Sequence, residues 1–214
     1  MNELAAALDA LGARVGVAVA TAAIEGAGRA AERAAADAAA VHALRAAGDP
    51  APEPPTRAAD GRPCWPHGFT GSLAHAGTAA VAAAAADADI GALGIDLERD
   101  AALSATDAAL VLTARERGDI AAHQQPDRLA TLMWSAKEAA FKAWSTATCG
   151  GLGTVDPVDI SVDVDDADHS LRVHATGALS GPVDSVGVLR GAFAYSDGYV
   201  LTLLRADPQS HPPA

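Results

Sequence analysis

Residues Gly94-Ile95-Asp96-Leu97-Glu98 hold two carboxylates two positions apart. On a strand that spacing turns Asp96 and Glu98 to one face and Ile95 and Leu97 to the other. Two like charges held side by side call for a cation. Hard oxygen donors suit Mg²⁺, which also keeps water and phosphate oxygens in its shell. A solvated strand end has the same D-x-E pattern, so these two residues alone leave both readings open.

A second group lies in Trp134-Ser135-Ala136-Lys137-Glu138-Ala139-Ala140-Phe141-Lys142-Ala143-Trp144. At helical spacing Leu129, Leu132, Met133, Ala136 and Ala140 form an apolar stripe, and Glu138 and Lys142 fall opposite it, one turn apart. An ordinary exposed ion pair also has this i, i+4 spacing. Here Trp134 and Phe141 flank it, and two large aromatics make this face the wall of a cleft. A third group is the proline-framed loop Gly61-Arg62-Pro63-Cys64-Trp65-Pro66-His67-Gly68-Phe69, which leads to Gly71-Ser72-Leu73-Ala74-His75. Arg62 and His75 are suited to hold phosphate, although a lone histidine in a strand also serves structure. Arg29 and Arg33, four apart, add a small basic patch that plain helix solvation would equally explain. Gly150-Gly151-Leu152-Gly153 follows a helix and does not open one, so it reads as a helix stop and not as a phosphate cradle.

These groups need elements to position them. The sequence predicts a strand over Arg14–Ala20, a helix over Gly26–Ala47 and a surface loop over Asp49–Pro63, which has five prolines. Strands follow at Gly71–Ala86 and Ala92–Glu98. Helices are expected at Thr113–Ala122, with Thr113 and Glu116 as a capping box, and at Pro126–Ser145. Alternation then predicts strands at Asp159–Asp165, Leu171–Ala175, Gly191–Tyr195 and Tyr199–Leu204, the last two joined through Ser196-Asp197-Gly198. The tail from Asp207 reads as frayed. The order describes an α+β protein of two similar halves, residues 1–90 and 91–214, with a seam near Asp87–Gly91.

The 214 residues are half apolar, but alanine supplies much of that fraction and aromatics are only 4%. A net charge of −12 argues against nucleic acid or an anionic membrane as partner. Cys64 and Cys149 lack a C-x-x-C spacing and read as free thiols. The first residues have no basic stretch, and no 18-residue apolar span occurs, so the expectation is a cytoplasmic protein without a signal peptide.

Taken in order, G-R-P-C-W-P-x-G-F, G-S-L-x-H, G-I-D-L-E and W-S-x-K-E-x-x-x-K resemble the 4′-phosphopantetheinyl transferases of the surfactin- and enterobactin-synthetase type. The resemblance covers about Gly26 to Leu152. It implies two pseudo-symmetric α+β halves with the site at their seam. It also implies Mg²⁺-dependent transfer of phosphopantetheine from coenzyme A to a serine of an apo acyl or peptidyl carrier protein, by a monomer.

By resemblance, Asp96, Glu98 and Glu138 are metal ligands, and Glu138 is also the base. Lys142 contacts the coenzyme A phosphates, with Lys137 assisting. His75 holds the 3′-phosphate, Arg62 the nucleotide end, and Arg29 and Arg33 further phosphates. Ala74 and Ala76 stand where the family has hydroxyl or other polar side chains, which implies a lost phosphate contact. A non-catalytic module that binds coenzyme A or a carrier, or a Mg²⁺-dependent phosphohydrolase, would use much of the same inventory.

Overall fold

The computed structural model describes residues 2–208. Six helices and ten strands form two α+β halves. In the first, β1 (Ala18–Ala23), β5 (Ala79–Ala86) and β4 (Phe69–Ala76) make an antiparallel sheet in the order β1-β5-β4. Helix α2 (Arg29–Ala46) covers it. The contact is alanine on alanine: Ala35, Ala36, Ala39, Ala40 and Ala43 meet Ala80, Ala82 and Ala84. Each buried methyl contributes little hydrophobic free energy, and the small side chains let helix and sheet approach closely. Gly48, at φ 98°, ends this helix, with the Asp49 amide donating to Leu44 O.

The second half is a five-stranded antiparallel sheet in the order β6-β10-β9-β8-β7. Its strands are β6 (Ala92–Arg99), β7 (Ile160–Asp165), β8 (Ser170–Ala175), β9 (Leu189–Ser196) and β10 (Tyr199–Ala206). Helix α5 (Pro126–Ala147) lies across β6 and β10 and buries Leu129, Leu132, Met133, Ala136, Ala140 and Trp144 against them. Gly94 is required here, because a Cβ at that position would lie 1.9 Å from Ala139 O. Strands β4 and β6 pack side by side where the two sheets meet.

The strand expected from Arg14 is displaced. Residues Asn2–Val15 form helix α1, whose Leu4, Leu8, Leu11 and Val15 share one apolar core with residues of both sheets. Gly16, at φ 77°, then reverses the chain into β1. The apolar run Gly71–Ala86 is too long for one strand, and it folds back at Gly77-Thr78 into the hairpin β4–β5. The proline-rich loop contains a short ribbon, β2 (Thr56–Arg57) with β3 (Pro63–Cys64). Helix α3 (Ala105–Val111), capped by Ser104, was not expected from the sequence. The helix expected over Thr113–Ala122 is α4 (Ala114–Ala122), with its capping box formed. The short α6 (Ser180–Val183) precedes β9. Cys64 and Cys149 are free thiols. The expected frayed tail lies, beyond Pro208, outside the described residues. Among the described residues no helix is long and apolar enough to cross a membrane.

Candidate active site

Alternation along β6 sends Leu93, Ile95 and Leu97 into the core beneath α1 and turns Asp96 and Glu98 toward α5. Asp96 is only 4% exposed. Its Oδ1 lies 2.5 Å from Lys142 Nζ, and its Oδ2 is buried without a partner. Glu98 is half-buried, and its Oε1 accepts from Trp134 Nε1 at 3.0 Å. On α5, Trp134, Glu138, Phe141 and Lys142 form the half-buried face, as the helical spacing predicts.

Burial, reinforced by the neighbouring Asp96 charge, pushes the carboxyls of Glu98 and Glu138 above their usual range. Glu98 and Glu138 both feel the Asp96 charge, offset by Lys142 and, at Glu98, by the hydrogen bond from Trp134. Among the described residues no three carboxylate, imidazole or thiol groups are drawn together closely enough to enclose an ion. The donor set nevertheless fits a hard divalent cation. It offers neighbouring carboxylates, of which Glu98 and Glu138 are raised toward protonation, and an inner Asp96 oxygen left with no donor.

Beside these carboxylates a cleft of about 790 Å³ opens between the halves. Six basic side chains line it: Arg29, Arg33, Arg57, Arg62, His75 and Lys142. Glu32 and Asp60 line it too, but the basic side chains outnumber them, a local balance opposite to the net charge of −12 and suited to an anion. Arg62 is pre-set by Asp60, which accepts from its amide and its Nε, both at 3.1 Å. Asp37 braces two further cations, Arg57 at 3.2 Å and Arg33 at 3.7 Å. Phe141 lines both this cleft and a smaller hollow of about 280 Å³ that reaches Trp134 and Glu138.

Of the candidate site residues, Arg29, Arg33, Arg62, His75 and Lys142 line the cleft, Asp96 meets Lys142, Glu98 meets Trp134 and Glu138 lines the smaller hollow; one stands apart from this arrangement. The exception is Lys137. It does not line the larger cleft, pairs with Glu116 at 2.8 Å and donates to Pro157 O at 2.9 Å. It contributes only to the wall of the smaller hollow. The expected loss at Ala74 and Ala76 is also corrected. Strand alternation sends Leu73 and His75 to the cleft, whereas Ala74 and Ala76 face the core shared with α1. A hydroxyl at either position would not meet a phosphate in the cleft. Arg57 was missed, because it sits in a two-residue strand inside a proline-rich loop where no periodicity marks it.

The sequence pattern of the 4′-phosphopantetheinyl transferase superfamily matches residues 92–203, and that of the 4′-phosphopantetheinyl transferase N-terminal domain matches residues 17–85. The chain is 35% identical over 147 residues to 4′-phosphopantetheinyl transferase Svp of Streptomyces mobaraensis, covering 67% of this chain and 59% of that protein. It is 29% identical to 4′-phosphopantetheinyl transferase Npt of Nocardia iowensis, over 71% of this chain and 72% of that protein. It is 32% identical to 4′-phosphopantetheinyl transferase PptT of Mycobacterium tuberculosis, over 72% of this chain and 69% of that protein. The first pattern spans the carboxylates of β6 and all of α5, and the second spans α2 and His75; the chain belongs to the 4′-phosphopantetheinyl transferase superfamily.

Proposed function

We propose that this protein transfers 4′-phosphopantetheine from coenzyme A to a serine hydroxyl of an apo acyl or peptidyl carrier protein and releases 3′,5′-ADP. The observation that carries the reading is the junction of two unlike environments. A cation-lined cleft large enough for a nucleotide abuts three carboxylates across the Lys142–Asp96 contact. Relatives named as 4′-phosphopantetheinyl transferases support the same reading.

In this account Arg29, Arg33, Arg57, Arg62 and His75 hold the phosphates of the nucleotide end. Arginine suits that task through its planar set of donors. Asp96, Glu98 and Glu138 would hold Mg²⁺, which when bound supplies charge neutralisation to a pyrophosphate. Lys142 stands between the two regions and stabilises negative charge on the departing 3′,5′-ADP. Glu138 takes the proton of the carrier serine as its oxygen bonds to the β-phosphorus and the bond to the leaving phosphate breaks. Its raised proton affinity brings it closer to the range in which a general base is effective. Phe141 and Trp134 exclude water from the base. Lys137 is assigned to structure and not to coenzyme A. Residues 1–90 then serve mainly in nucleotide binding and residues 91–214 in chemistry, in the reducing cytoplasm that the free thiols suit.

The test is intact-mass spectrometry of an apo carrier protein incubated with this protein, coenzyme A and Mg²⁺. A gain of one phosphopantetheine, abolished by EDTA, is expected. Coenzyme A binding without any gain across several carrier types would make the protein a non-catalytic module. Hydrolysis of coenzyme A without a carrier would make it a phosphohydrolase.

A further inference from the structure

Among the described residues four buried side-chain polar atoms have no hydrogen-bond partner, and three of them belong to β6, β10 and α5, which pack on one another. One is Asp96 Oδ2. The second is Oγ1 of Thr202, a residue 0% exposed that lies directly opposite Asp96 in the β6–β10 ladder. Such cross-strand partners point to the same face, with Cβ atoms about 4.5–5.5 Å apart. The third is Ser135 Oγ, also fully buried. Ser135 stands on α5 between two anchor points, one on β6 and one just beyond its end. Thr131 Oγ1 donates to Ala101 O at 2.6 Å on one side, and Ala139 packs on Gly94 on the other. That places Ser135 over the stretch carrying Asp96 and Glu98.

Packing alone does not explain a hydroxyl at position 202. Its same-face neighbours along β10, Val200 and Leu204, belong to the apolar core under α5, and valine has the shape of threonine. Buried donors and acceptors are paired in native proteins, and an unpaired one needs a reason. Here a buried donor and a buried acceptor, each without a partner, face the same side of adjacent strands.

We propose that Thr202 is a positioning residue for Asp96. As the chain stands neither hydroxyl bonds the inner oxygen of Asp96; when a cation draws that carboxylate away from Lys142, Thr202 is the cross-strand donor that faces it, and Ser135 stands over the same stretch from the helix side. The carboxylate is thereby fixed in the orientation the cation needs. This rests on the reading of Asp96 as a cation ligand. Partners of this kind, one step behind a ligand, govern metal affinity without touching the metal.

The test titrates Mn²⁺ into the full chain with coenzyme A present and no carrier protein, so that no turnover occurs. Thermal melting of the same proteins without added metal is followed in parallel. Thr202→Val should melt at or above the wild-type temperature, since it removes an unpaired buried hydroxyl, yet bind Mn²⁺ about tenfold more weakly. Thr202→Ser should keep wild-type affinity. Mn²⁺ binding by Thr202→Val equal to wild type, or a serine variant as weak as the valine one, would overturn the proposal. If the valine variant does not fold, serine against alanine at the same position decides. Serine binding about tenfold tighter than alanine supports the role, and equal affinities overturn it. Wild-type protein that binds no Mn²⁺ would instead overturn the cation reading on which the proposal rests.

Discussion

Two lysines five positions apart on α5 each meet a carboxylate, and the two pairs are built for different ends. Lys137 and Glu116 are 1% and 0% exposed and lie 2.8 Å apart. Glu116 also accepts from the amides of Thr113 and Val162, and Lys137 also donates to Pro157 O. The pair thus ties α4, α5, β7 and the Pro157 turn into one closed knot. Lys142 and Asp96 lie 2.5 Å apart, but the lysine opens onto the cleft and Asp96 keeps an oxygen without a donor. A buried charge held by an opposite charge and by further hydrogen bonds fixes geometry. A charge with capacity to spare, at the edge of a cavity, is available for chemistry.

The sharpest way to break this contrast is to open the closed knot. Glu116→Ala leaves a buried ammonium and two amides unpaired and should destabilise the fold by about 3–5 kcal/mol, measured by urea unfolding. Replacing both partners, Glu116→Leu with Lys137→Met, should recover most of that loss. A Glu116→Ala protein as stable as wild type would remove the structural role. The opposite pattern is expected at the open pair. Lys142→Ala should lower the transfer rate about 10²–10³-fold, the range seen when one donor to a developing negative charge is removed. Some stability should be lost as well, since Asp96 is buried, but less than at Glu116, because removing a side chain that opens onto the cleft lets water reach the freed carboxylate oxygen. A large stability loss with little rate loss would reverse the two assignments.

That Lys137 and Lys142 serve different ends was not legible in the sequence. Helical spacing placed Glu138, Lys142, Trp134 and Phe141 on one face, and the structure agrees. The capping box at Thr113 and Glu116 was also visible. What the spacing does not carry is the partner of Lys137. Glu116 meets it only because α4 packs on α5, a contact set by tertiary folding. The same limit explains α1. Its apolar face was present in Leu4, Leu8, Leu11 and Val15, but the alternation after Arg14 competed with it, and only the core shared by both sheets decides between them. Arg57 had no local pattern at all, and burial against Asp37 at the end of a short ribbon brings it to the cleft.

Arg57 offers a test of intermediate size. If the cleft binds phosphates, Arg57→Ala should raise the KM for coenzyme A about tenfold and leave kcat nearly unchanged, the mark of a lost uniform binding contact. A fall in kcat at constant KM would move Arg57 into the chemistry.

An effect confined to alkaline pH lies away from the site. Burial pushes the Tyr195 phenol up from 10.0 to about 12, against the opposing pull of the Arg128 guanidinium stacked on its ring. A folded-state value above the unfolded one gives stability that is complete below pH 10 and lost as pH rises through about 12. Tyr195→Phe should therefore show a shallower loss of stability over that interval in alkaline unfolding. Identical slopes for the two proteins would contradict the burial of the phenol.

The most direct test of the central claim is Glu138→Gln, assayed by intact mass on an apo carrier protein alongside calorimetric titration with coenzyme A. The account predicts that coenzyme A still binds while no phosphopantetheine reaches the carrier, because the cleft is intact and the base is gone. Transfer by Glu138→Gln at a rate near that of the wild type would contradict it.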